Sequence, residues 1–213
     1  MTFTHLIHKL ETRLQQPLPG KNAHLQMIPQ LRLPDYDKGY DLSDARKSGV
    51  LILLYPHLNE IYIPFIQRPV YSGIHSGQIG LPGGKMEPED RSLIQTALRE
   101  AKEEIGIDPS RTTILGELSD VYIPPSKFLV KVVLAYVNHR PSFTLYVKEV
   151  NELLEIKLTE LLDDTIISER SIINSQELQF NAPCYILNDK VIWGATAMML
   201  SELRWILREI ATI

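Results

Sequence analysis

Apolar residues recur along this chain in two rhythms, one helical and one in short continuous runs. Thr4–Gln15 places Leu6, Ile7, Leu10 and Leu14 on one side of a helix, and Pro17-Leu18-Pro19-Gly20 stops it. From there to about Arg46 the chain is polar, proline-marked and aperiodic, which predicts an irregular extension wrapped around the rest. Gly49–Tyr55 is a near-continuous apolar run, the pattern of a strand covered on both faces; Asn59 and Glu60 turn it into a second strand, Ile61–Gln67. A glycine-rich segment from Tyr71 to Gly84 leads to Asp90–Ile105, where Ile94, Ala97, Leu98, Ala101 and Ile105 form a helical stripe. Pro88 and Asp90 mark the start of that helix and Gly106 its end. Thr113–Leu118, Phe128–Val137 and Phe143–Val147 read as strands, Leu158–Leu162 as a short helix, and Gln179–Ile192 as one or two strands. Thr196–Ile210 closes the pattern as an amphipathic helix with Met199, Leu203, Ile206 and Ile210 inward; a homodimer surface is the other use of that side. The sum predicts an α/β fold, a mixed sheet with a helix on each side, over residues 46–213, preceded by the extension 1–45.

Composition narrows the function. The 213 residues are 44% hydrophobic and 23% charged with net charge −4, so no strong basic field invites nucleic acid or an anionic membrane. The longest apolar run, around Val50–Tyr55, is too short to span a bilayer. Met1-Thr2-Phe3-Thr4-His5-Leu6 carries no targeting pattern, and Ala211-Thr212-Ile213 matches no peroxisomal address, so a cytoplasmic location is the default expectation. Cys184 is the single cysteine, which excludes an internal disulfide and a cysteine-based zinc site; with no base nearby it reads as a buried thiol.

The chemistry concentrates in Leu81-Pro82-Gly83-Gly84-Lys85 and, beyond a loop, Arg99-Glu100-Ala101-Lys102-Glu103-Glu104-Ile105-Gly106. Glu100, Glu103 and Glu104 stand at i, i+3 and i+4, which a helix brings onto one side with mutual repulsion. A divalent cation reverses that repulsion, and an all-oxygen set suits Mg²⁺ or Mn²⁺. Such an ion neutralises phosphate oxygens and makes hydroxide available near neutral pH. Arg99 is placed to pair with an acid and hold its rotamer. Gly83 and Gly84 free the backbone so that a main-chain carbonyl reaches the metal. The plain alternative is a solvated acidic helix face.

From Gly84 to Ile107 these residues resemble the Nudix box: a glycine, a loop, then Arg-Glu-hydrophobic-x-Glu-Glu-x-Gly-hydrophobic. The interval from Gly84 to Arg99 is one residue longer than the general box, and the acid usually found early in the helix has its nearest counterpart in Asp90. The longer loop, Pro82-Gly83-Gly84-Lys85 and Ala97-Leu98-Arg99-Glu100 are similar to the coenzyme A pyrophosphatase branch, as is Ile192-Trp193-Gly194-Ala195-Thr196-Ala197. Of that branch's upstream signature, Arg68, Gly77 and Pro82-Gly83-Gly84 match; Gly73 stands where a second arginine is expected, Pro69 replaces a small residue and Leu81 a phenylalanine.

The resemblance implies an α/β/α sandwich and a pyrophosphohydrolase that cuts a diphosphate linkage in a small nucleotide substrate. Coenzyme A would give 3′,5′-ADP and 4′-phosphopantetheine. ADP-ribose is the alternative substrate, and a non-catalytic nucleotide sensor the alternative class. It implies Glu100, Glu104 and Glu103 as metal ligands with the Gly84 carbonyl, and Glu100, Glu103 and Arg99 as the catalytic group. Arg68, His75 and Lys85 are the candidate substrate contacts, against a surface ion pair for Arg68 and a loop-ordering hydrogen bond for His75. Glu149 and Glu152 are alternatives to Glu100 as general base, and Trp193 reads as a core or edge aromatic.

Overall fold

The computed structural model describes residues 2–71, 75–173 and 178–212. Its first helix, α1 (Phe3–Leu14), starts where the Thr2 hydroxyl accepts the His5 N–H, and it buries Leu6, Ile7 and Leu10. The extension predicted as irregular holds two more helices, α2 (Lys21–His24) and α3 (Leu33–Lys38), and short 3₁₀ turns. Helices of 4 and 6 residues are too short to display a period, so the pattern cannot announce them.

Strand β1 (Arg46–His57) turns at Leu58 and Asn59, both with positive φ (49° and 63°), into β2 (Glu60–Gln67). That is the backbone of a two-residue hairpin whose twist matches its strands, and Glu60 already belongs to β2. The glycine-rich segment contains two short strands the pattern missed, β3 (Ile79–Gly80) and β4 (Gly83–Lys85). Helix α4 (Leu93–Ile105) starts later than predicted: the Ser92 hydroxyl caps it by accepting the Gln95 N–H, and Gly106 ends it at φ 77°. Next come β5 (Thr113–Glu117), β6 (Val121–Ile123), β7 (Phe128–Tyr136), β8 (Glu152–Lys157), α5 (Leu158–Leu162), β9 (Ile167–Ile173), β10 (Gln179–Leu187), β11 (Lys190–Trp193) and α6 (Gly194–Thr212).

Phe143–Val147, predicted as a strand, pairs with none. Its N–H groups go to the end of α4, Thr144 to the Ile105 carbonyl and Tyr146 to the Glu104 carbonyl, while Phe143 and Leu145 pack on the core. The alternation is real, and a helix terminus is what satisfies the backbone.

In the sheet, β1 lies parallel to β7, from Arg46 opposite Phe128 to Leu54 opposite Tyr136. It is antiparallel to β4 over Ser48–Val50 and to β2 over Tyr55–His57. β2 carries β3 and β8, and β7 carries β5 and β6; β9, β10 and β11 form a separate antiparallel sheet. Alternation along β1 and β7 divides the core. Leu51, Leu53, Tyr55, Val133 and Ala135 pack with Ala97, Ala101 and Ile105 of α4. Ile52, Leu54, Val132 and Leu134 pack with α1 and with Met199, Leu203, Ile206 and Ile210 of α6. Met27 and Ile28 of the extension join that second cluster. Cys184 is fully buried, and burial pushes its thiol pKa up. Among the described residues no helix is long and apolar enough to cross a membrane.

Candidate active site

Three glycines let β1, β4 and α4 close on one another. Gly83 has φ 151°, and a Cβ there would run into the Gly49 carbonyl. A Cβ on Gly84 would lie 2.5 Å from the Glu100 carboxylate, so the bare backbone of β4 rests directly against that acid. Gly49, which sequence reasoning did not single out, leaves room for the Leu93 carbonyl and sets how closely α4 sits on β1. Its signal was available: a glycine inside a strand pattern marks a close backbone approach.

On this frame Glu100 and Glu104 come from one side of α4, and Glu149 joins them from the loop before β8. Carboxylate oxygens of the three lie within 4.8 Å of one another. Glu104 is 1% exposed. It accepts the Gly83 N–H at 2.8 Å and has the Arg68 guanidinium at 3.7 Å. Burial raises its pKa to about 7, with Arg68 and Gly83 opposing and Glu100 and Glu149 adding to the rise. Burial raises Glu100 too, against the pull of Arg99.

Glu103, predicted to share this site, stands apart: its side chain is 55% exposed and pairs with Arg99 Nη1 at 3.2 Å. Adjacent helical residues point about 100° apart, so Glu103 and Glu104 cannot both face one point. Glu149 takes the third place. Glu152, the other acid named with it, lies in β8 and pairs with Lys190 at 2.7 Å.

Arg99 ties the unit together. It donates to both Asp90 oxygens at 3.1 and 3.0 Å, to the Lys85 carbonyl at 2.9 Å and to Glu103, and its Nη2 lies 3.0 Å from Glu100 Oε1. Beside it the Asp90 carboxyl is held down to about 2, with further hydrogen bonds from the Glu87 N–H and the Thr96 hydroxyl.

The acids open onto a cleft of about 370 Å³ that Arg68, His75, Lys85, Glu149 and Phe128 help line. Arg68 also donates to the Gly83 carbonyl at 3.2 Å, so it braces Glu104 and β4 as it faces the cleft. His75 Nδ1 meets Gln78 Oε1 at 3.2 Å, the loop-ordering bond, and burial lowers its pKa. Lys85 has an exposed side chain at the rim. Gly73, at the expected position of the second arginine, lies outside the described residues. Trp193 is an edge aromatic against Phe180, with ring centroids 5.9 Å apart. The donor set fits a hard divalent cation: three carboxylates converge within 4.8 Å, and Arg99 at Glu100 and Arg68 at Glu104 offset only part of their charge.

The NUDIX domain family model matches residues 45–178. The chain is 32% identical over 181 residues to an uncharacterized Nudix hydrolase, NudL, of Yersinia pestis (strain Pestoides F), covering 82% of this chain and 88% of that protein. The NudL protein of Yersinia pseudotuberculosis (serotype O:1b, strain IP 31758) matches equally, at 32% identity. Among solved structures, a MutT/nudix family protein from Enterococcus faecalis superposes with a TM-score of 0.54 at 15% identity, over 83% of this chain and 68% of that one. The Nudix hydrolase RenU from M. smegmatis gives 0.52 at 16% identity, over 78% and 86%. These two likenesses establish the fold. With β4, the loop and α4 carrying the whole motif, the chain belongs to the Nudix hydrolase family and is a pyrophosphohydrolase of nucleoside diphosphate derivatives.

Proposed function

We propose that Glu100, Glu104 and Glu149 hold Mg²⁺ or Mn²⁺ and that the enzyme hydrolyses coenzyme A to 3′,5′-ADP and 4′-phosphopantetheine. The observation that carries the metal-dependent chemistry is the convergence of those carboxylates within 4.8 Å at the cleft. A bound divalent ion supplies neutralisation of the diphosphate oxygens in the transition state. The chain's own groups do the rest. Arg99 fixes the Glu100 carboxylate, and Arg68 with the Gly83 N–H fixes that of Glu104. Glu149, exposed on its loop, takes the proton from the attacking water at a carboxylate oxygen. Lys85 at the rim meets substrate phosphate as a mobile cation, and His75 lines the same cleft.

Support for coenzyme A comes from the sequence: the longer loop, Pro82-Gly83-Gly84-Lys85, Ala97-Leu98-Arg99-Glu100 and Ile192–Ala197. The 3′-phosphate distinguishes coenzyme A from ADP-ribose, and Gly73 replaces the arginine best suited to bind it. A missing charge-assisted bond costs about 1.5–3 kcal/mol, or roughly ten- to hundredfold in affinity. The expected result is hydrolysis of coenzyme A with weak discrimination against dephospho-coenzyme A. Comparing kcat/KM for coenzyme A, dephospho-coenzyme A and ADP-ribose with Mg²⁺ tests this. A preference for ADP-ribose above about tenfold removes the coenzyme A reading and leaves the phosphoanhydride chemistry standing.

A further inference from the structure

The loop that delivers Glu149 is fastened to the end of the helix that carries Glu104. The last carbonyls of a helix have no partner within it. Here the loop takes two of them: Tyr146 donates its N–H to the Glu104 carbonyl at 3.0 Å, and Thr144 to the Ile105 carbonyl at 3.1 Å. The Tyr146 carbonyl then accepts the N–H groups of Glu149 and Val150, each at 2.9 Å, and Asn151 anchors the far side on the Gln67 carbonyl at 2.8 Å. A path of two hydrogen bonds, through Tyr146, thus joins the backbone of Glu104 to that of Glu149.

Gly106 lets this strap dock. Its φ of 77° alone would suit any left-handed cap, asparagine included. A Cβ at Gly106, however, would lie 3.0 Å from the Thr144 nitrogen and 3.1 Å from the Thr144 Cβ. The missing side chain therefore serves the loop as well as the cap.

We infer that Gly106 is a positioning residue for Glu149, acting through Thr144 and Tyr146 to set where that carboxylate meets Glu100 and Glu104. The inference rests on the proposed membership of Glu149 in the metal-holding group. A side chain at Gly106 pushes Thr144 outward by a few tenths of an ångström and carries Glu149 with it, while Glu100 and Glu104 stay on their helix.

A double-mutant cycle of Gly106→Asn with Glu149→Gln tests it, read as kcat, KM and Mn²⁺ affinity by electron paramagnetic resonance, with the better of coenzyme A and ADP-ribose as substrate. Asparagine accepts the left-handed backbone but brings the Cβ. Gly106→Asn is expected to lower kcat about tenfold and weaken Mn²⁺ binding, with KM little changed, since small misplacements of reacting groups cost rate. In the Glu149→Gln background it should change neither. One glycine inserted between the exposed Val147 and Lys148 leaves α4 and Gly106 untouched and should reproduce Glu149→Gln; if Gly106→Asn does not fold, Gly106→Ala brings the same Cβ against Thr144 and takes its place in the cycle. Additive losses in the cycle, or full activity with the inserted glycine, overturn the inference alone. Full activity of Glu149→Gln removes the proposed role of Glu149 and the inference with it.

Discussion

Two buried glutamates, one on each helix flanking the sheet, live in opposite surroundings. Glu104 of α4 is 1% exposed and Glu202 of α6 is 0% exposed. Glu202 accepts the Gly20 N–H at 2.9 Å, the Ser119 N–H at 3.0 Å and the Ser119 hydroxyl at 2.7 Å, and His24 Nε2 lies 3.3 Å away. Burial alone would raise its pKa, yet His24, Ser119 and Gly20 hold it below the usual carboxylate range. Glu104 has one backbone donor and an arginine at 3.7 Å, and its pKa rises to about 7. Equal burial thus marks different jobs. A carboxylate surrounded by donors is a fastener, here binding the N-terminal extension to α6. One left short of donors beside other acids has the surroundings that the proposed metal-holding role requires.

The largest effect is expected from the fastener. Glu202→Ala strands the buried His24 and the half-buried donors of Ser119 and Gly20, and should cost about 3–5 kcal/mol in urea unfolding. The kcat/KM of the folded fraction should not change; a stable variant with impaired turnover would erase the contrast. Glu104→Gln should do the reverse. Turnover falls at least about a hundredfold, near 2.7 kcal/mol in the barrier, while the melting temperature holds or rises because repulsion within the cluster is relieved. Near-normal activity in Glu104→Gln would show that the acid cluster is not the site.

The finest test is pH. With metal chelated, Glu104 binds its proton more tightly folded than unfolded. Its stabilising contribution is present below about 4.5 and lost as pH rises toward about 7. Glu202 has the lowered pKa, so its contribution is present above the ordinary carboxylate pKa and lost as pH falls. Relative to wild type, the melting temperature of Glu104→Gln should therefore rise with pH between about 4.5 and 7, and that of Glu202→Gln should fall with pH in a scan extended below about 4.5, each by about 2–4 °C for each kcal/mol. Slopes of the same sign would mean that the two environments do not differ as described.

The strong periods were legible in the chain. The stripes of α4 and α6, the two-faced burial of β1 and the capping role of Gly106 all follow from local pattern. What escaped depends on distant partners. Asp90 looks like a helix cap, but Arg99 and Thr96 claim its carboxylate, and Ser92 caps instead. Ile167–Ile173, mostly exposed, forms a strand only because β10 pairs with it. Within the candidate site, spacing brought Glu100 and Glu104 together but did not exclude Glu103, which the structure leaves at the surface. Glu149 could not be separated from Glu152 by sequence, because only the strap on α4 puts one at the cleft, while Lys190 holds the other.

The brace between Arg99 and the Lys85 carbonyl has a consequence for how this motif tolerates change in length. Residues 86–92 form a surface detour, and Arg99 clamps its two sides together through Lys85 and Asp90. With the ends pinned and the height of α4 set at Gly49, an added residue is taken up as slack in the detour. The residue by which this chain exceeds the general box thus falls in a segment whose length the clamp does not fix. The same detour is a natural insertion point for a reporter peptide that must leave the acids where they are.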